Sequence, residues 1–117
     1  MRLRLMDAGQ RLRSVAHDPT GFPTARDDVV RFCFAELLPH LAADETWLLE
    51  ARDCGEGRLL ADAMRSEARA MTAAVDELAT ATDALEAVAA TRLLHAFLAA
   101  HAHHERLLVT AGHHGGR

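Results

Sequence analysis

The sequence contains no lysine, asparagine, isoleucine or tyrosine, and only 4% of it is aromatic. With strand-favouring residues so few, an all-β fold is nearly excluded. Basic charge is not in excess either: 13 Lys and Arg against 17 Asp and Glu leave a formal net charge of -4 at pH 7. The electrostatic footprint of nucleic-acid binding is therefore missing, and no nucleic-acid partner is expected. No apolar run approaches the ~20 residues of a membrane span, so no membrane partner is expected. The start, Met1 to Asp7, meets an acid and then Gly9 before any long apolar stretch, which does not read as a signal peptide. Cysteine is scarce. Cys33 and Cys54 stand on what reads as mostly one helix, and at 1.5 Å per residue they lie about 30 Å apart, too far to pair. A reduced, cytoplasmic setting is expected, with Cys33 a core residue and Cys54 at a helix end.

What is present is helix-forming. Roughly a fifth of the chain is alanine, and leucine, arginine and glutamate are abundant. A chain of 117 residues, 50% apolar and 26% charged, supports one globular core and no more. The expected organisation is a single domain over 1–112 followed by a polar His/Gly tail over 113–117.

Punctuation divides the domain into four helices. The first runs from about Leu3 to Ala16 and ends before Pro19, Gly21 and Pro23. Thr24 reads as the N-cap of a second, which continues to about Arg52, with a bend expected at Pro39. Gly55 and Gly57 turn the chain into a third, Arg58 to about Ala79. Capping residues between Thr80 and Asp83 start a fourth, which runs to about Thr110 and stops at Gly112. Short connections make successive helices antiparallel, so the expected fold is all-α, an up-down-up-down four-helix bundle.

Polar residues on the inward stripes carry the functional signal. At spacings of three and four the second helix presents Val30, Cys33, Leu37, His40, Asp44, Trp47 and Ala51. The fourth presents Leu94, Phe97, Leu98, His101, Glu105 and Leu108 by the same rule. Each stripe thus carries a histidine and a carboxylate one turn apart, able to offer a nitrogen and an oxygen to one cation. The alternative is a pair of buried ion pairs, His40 with Glu105 and His101 with Asp44. Glu67, between Met64 and Met71, is the further candidate ligand, weighed against a solvated position one notch off the stripe. Trp47 and Phe97 read as core, and His95, His103 and His104 as surface. Arg2, Arg4, Arg11 and Arg13 read as a solvated basic face.

These segments, His40-Leu41-Ala42-Ala43-Asp44-Glu45 and His101-Ala102-His103-His104-Glu105, resemble the hemerythrin-like HHE cation-binding domains. The resemblance extends to the number, order and spacing of the helices. It implies a hemerythrin-like bundle holding one or two non-haem iron ions, with Mn or Zn compatible with the same donors, and a role in binding or sensing O2 or another small diatomic, or in iron or redox regulation. It also implies histidines from the first and third helices, where this chain has Gly9 and Ala68, with Thr72 a turn further. A glycine inside a helix costs up to about 1 kcal/mol against alanine, so the space at Gly9 is expected to serve something, an opening at the metal level among the choices.

Two functions follow. The first is a small cation-binding protein whose ligands are His40, Asp44, His101 and Glu105, with Glu67 as the additional candidate. The second is a degenerate, metal-free bundle acting as an interaction or structural module. No nucleophile with a matching base stands at a catalytic spacing, so enzyme chemistry ranks third.

Overall fold

The computed structural model describes residues 2–15, 19–53, 55 and 57–111. Cys54, Gly112 and the tail with His113 and His114, named above from the sequence, lie outside the described residues. Five α-helices occur among the described residues: α1 (Arg2–Ser14), α2 (Phe22–Phe32), α3 (Leu38–Asp53), α4 (Arg58–Ala79) and α5 (Ala84–Thr110). A π-helical turn, Cys33–Leu37, joins α2 to α3 without interruption, so the described residues form four helical rods, 50 × 22 × 20 Å overall. No strand occurs among the described residues, and none of their helices is long and apolar enough to cross a membrane.

The second rod begins earlier than the sequence suggests. Its first helical residue is the buried Phe22, capped by Gly21, whereas Thr24 is exposed inside the helix. Proline is at ease in a first turn, where its missing N–H has no partner to lose, so Pro23 starts the helix instead of barring it. At the head of α5, Asp83 accepts from the Glu86 amide at 2.8 Å while the Glu86 carboxylate accepts from the Thr82 amide at 3.0 Å. This reciprocal cap fixes where the last helix begins.

Pro39 has a larger consequence than a bend. It can donate nothing to the helix ladder, and its ring crowds the carbonyl four residues back. The π turn ahead of it, in which the Leu38 amide reaches Cys33 O, widens the helix where that crowding falls. One extra residue is absorbed there, and the inward stripe changes accordingly. Val29, Cys33, Leu37, Leu41, Trp47, Leu48 and Ala51 are buried, while Val30 and His40 move to the edge of the stripe. Leu41 thus takes the core position that simple periodicity gives to His40.

The core is in two parts. One cluster joins Leu5 and Leu12 of α1 to Leu41, Met71, Leu94 and Leu98; the other holds Trp47, Leu48, Ala61, Met64 and Leu108. Burying each such side chain contributes about 1.5–3 kcal/mol. Along α3 the chain passes from the first cluster at Leu41 to the second at Trp47, across Asp44. Along α4 it passes from Met64 to Met71 across Glu67, and along α5 from Leu98 to Leu108 across His101. Three helices therefore place a polar residue in one layer between two apolar clusters.

Candidate metal centre

In that layer the central atom is Asp44 Oδ2. It lies 3.3 Å from His40 Nε2, one helical turn away, and 3.4 Å from His101 Nε2 on α5. His40 Nε2 is also 3.7 Å from Glu105 Oε2. The ligating atoms of His40, Asp44 and Glu105 all lie within 4.8 Å of one another. Three of the four residues singled out from the sequence thus converge, and the fourth, His101, reaches them through Asp44 alone. They also make the pairings of the metal-free alternative, His40 with Glu105 and His101 with Asp44. Exposure differs across the cluster: His101 is 1% exposed, whereas the His40 side chain keeps 37% of its surface and stands at the rim.

A second group of contacts lies on the other edge of the His101 ring. Glu67 Oε1 is 3.3 Å from His101 Nδ1, and Glu67 Oε2 is 2.7 Å from His104 Nδ1. Both separations are of hydrogen-bond length, yet neither contact is aligned as a hydrogen bond, so the buried Glu67 Oε1 and both Nδ1 atoms are close neighbours without one. Glu67 is buried, not solvated, and it faces Nδ1 of His101 instead of joining the Nε2 side with Asp44. His104 is not a surface residue but closes over Glu67. Its spacing of three from His101 was the signal, because residues at i and i+3 share a helix face. His103 is exposed, as the sequence suggests.

Charge in the layer is set by Asp44. Burial pushes its carboxyl upward, but the hydrogen bonds from His101 and His40, with the charges on those rings, outweigh burial and bring it down to about 2. His40 is raised above 6.5: its hydrogen bond to Asp44 is the largest effect, burial opposes it, and the Asp44 and Glu105 charges add to it. Cys33 is a buried free cysteine whose thiol burial pushes up to about 11, which makes it an inert core residue. Trp47 is core as expected, although its buried Nε1 has no hydrogen-bond partner among the described residues.

The positions that the resemblance assigns to further histidines fall elsewhere. A Cβ on Gly9 would stand 3.1 Å from Thr91 Cγ2. Thr91 precedes His101 by ten residues, or about 15 Å along a helix, so Gly9 is not at the level of the centre. Arg4 pairs with Glu36 and Arg11 with Asp28, which sets α1 against the part of the second rod before His40. These pairs also show that two of the basic face's arginines reach the neighbouring rod. Gly9 borders a cavity of about 170 Å³ with Thr91 and His95, and His95 is partly buried, not a surface residue. Ala68 and Thr72 line a groove with Leu38 and Leu41 on the side facing α3.

No protein-family model, curated protein or solved structure matches this chain.

Proposed function

We propose that this protein is a small cation-binding, hemerythrin-like four-helix bundle that holds one divalent transition-metal ion between α3 and α5, through His40 Nε2, Asp44, His101 Nε2 and Glu105. The observation that carries this reading is the convergence of His40, Asp44 and Glu105 from two helices in a polar layer between two apolar clusters, with His101 Nε2 3.4 Å from Asp44. Ion pairs support the up-down-up-down course: Arg4–Glu36 with Arg11–Asp28, and Glu45–Arg65 with Arg52–Asp62, each run in opposite senses along neighbouring rods.

Two imidazoles and two carboxylates suit iron, manganese or zinc, and iron is the ion the HHE resemblance implies. The donors fit one ion and not two. Gly9 stands beside Thr91 and Ala68 lies in the α3 groove, and His104 turns its Nδ1 to Glu67, not to Asp44. A bound ion would supply Lewis acidity and, as iron or manganese, a redox couple. The residues supply the rest: Asp44 joins both helices to the centre, and His40, at the rim, controls the approach from solvent. Binding or sensing fits this small centre better than catalysis does. The metal-free reading is favoured by one observation, that His40–Glu105 and His101–Asp44 already pair without an ion.

Metal analysis of untagged protein purified without chelator separates the two. About one equivalent of transition metal is expected, lost in His101→Ala and retained in His103→Ala, because His101 turns its Nε2 toward Asp44 whereas His103 is exposed. Equal loss in both variants, or no metal in the wild type, contradicts the proposal.

A further inference from the structure

We propose that the cavity between α1 and α5 binds a small organic carboxylate whose apolar body is the size of a benzene ring, with Arg13 and Arg92 meeting its charge at the mouth. The site is separate from the cation centre and does not rest on the cation-binding reading.

The cavity measures about 170 Å³, and an apolar cavity of roughly 150 Å³ is enough to take up benzene. Its floor is apolar. Leu5 and Val88 are buried there, and the buried Thr91 has already given its hydroxyl proton to Ala87 O at 2.9 Å, which leaves a methyl group beside Gly9. Gly9 keeps the space open: a Cβ there would stand 3.1 Å from that methyl, tighter than ordinary contact. A glycine that costs the helix up to about 1 kcal/mol thereby has a use. The mouth is of one sign. Arg13 and Arg92 line the cavity and are exposed, and no carboxylate lines it among the described residues, although the chain carries 17 acids and a net charge of -4. Arg4 and Arg11, on the same helix as Arg13, pair with Glu36 and Asp28, whereas neither Arg13 nor Arg92 has an ion-pair partner among the described residues. No acid stands three or four places from either one in the sequence. Guanidinium forks match the geometry of a carboxylate. His95 also lines the cavity, and its buried Nε2 has no hydrogen-bond partner among the described residues; an entering carboxylate is an acceptor of the kind it lacks. An apolar floor beneath two cations selects an anion that is apolar at its other end. Inorganic phosphate would leave the floor unfilled, and a neutral compound would leave the arginines unanswered.

Amide 1H–15N spectra of the full, metal-free chain titrated with benzoate test this. Saturable shifts are expected at Gly9, Thr91 and His95. Benzyl alcohol, similar in shape but uncharged, and inorganic phosphate should each bind at least about 10-fold more weakly. Arg13→Gln combined with Arg92→Gln should weaken benzoate roughly 10-fold and leave benzyl alcohol unchanged. Gly9→Leu combined with Thr91→Ser, which removes the methyl that a Cβ would crowd, should fill the space and abolish binding of both. No saturable shift at these residues with benzoate overturns the proposal. Equal binding of benzoate and benzyl alcohol overturns it as well, since the charge would then be irrelevant, and so does equal binding of benzoate and phosphate. Unchanged benzoate affinity in the double arginine variant is equally contrary to it. Both arginines are exposed, so that variant keeps the test decisive if the filled one does not fold.

Discussion

Asp44→Leu is expected to destabilise the metal-free protein by about 3 kcal/mol, because it strands a buried histidine facing an apolar side chain. For a chain of this size that lowers the melting temperature by about 10 °C. Asp44 Oδ2 is the nearest acceptor for both His40 Nε2 and His101 Nε2, and the two histidines are unequally placed to lose it. His40 lies at the rim with Glu105 beside it and can turn to water, whereas His101 is almost fully buried and cannot. Replacing His40 together with Asp44 therefore recovers little. Asp44→Leu combined with His101→Leu should recover most of the loss, to within about 1 kcal/mol of the wild type, since a buried ion pair exchanged for packed apolar groups is often neutral. Chemical denaturation of the three proteins with chelator present checks this. Equal stability of Asp44→Leu and the double variant would mean that the Asp44–His101 contact is not the one that matters.

The second large effect is a pH dependence that changes sign when metal is added. His40 is raised above 6.5 in the folded protein, first by its hydrogen bond to Asp44, against the opposing effect of burial. The stability this gives is fully present below 6.5 and is lost as pH rises through the raised value. Asp44 behaves oppositely. Held at about 2 against an ordinary 3.8, it contributes about 2 kcal/mol that is present above 3.8 and disappears as pH falls through about 2. The metal-free protein should accordingly melt highest between these limits, at about pH 4–6, and lose stability on the alkaline side. A cation requires the coordinating nitrogens of His40 and His101 to be unprotonated, so its stabilising effect grows with pH over that same alkaline window. With excess Zn2+ the melting temperature should rise between about pH 6 and 8, while with chelator it falls. Parallel curves would mean that the ion, if bound, does not involve these histidines.

Much of this arrangement is legible in the sequence, and the failures have identifiable causes. The third and fourth rods were readable almost to the residue because glycine, threonine and aspartate mark their ends with strong local preferences, as at Asp83. His101 could be placed inward because α5 is a regular helix, in which spacing translates directly into a face. His40 could not be placed as well, since the π turn before Pro39 carries the stripe from Leu37 to Leu41, where a regular helix turns back by a step of three to His40. The sequence brings out His40 and Asp44 as a pair but not that Leu41 takes the inner position. Glu67 was ambiguous because a buried carboxylate is unfavourable until its partners are known. Those partners, His101 and His104, come from a helix more than thirty residues away. Gly9 shows the limit of a likeness carried by two helices: the level at which α1 meets the bundle is set by its contacts with Thr91, Asp28 of α2 and Glu36 of the π turn, which the helix order alone does not reveal.

The central claim is that His40, Asp44, His101 and Glu105 hold one divalent ion. A crystal grown with Zn2+, with diffraction data collected on both sides of the zinc absorption edge, tests it most directly. One anomalous peak is predicted between α3 and α5, about 2.0–2.2 Å from His40 Nε2, His101 Nε2 and oxygens of Asp44 and Glu105. The opposite result would be a peak only at His113 and His114, or none, with His101 still hydrogen-bonded to Asp44.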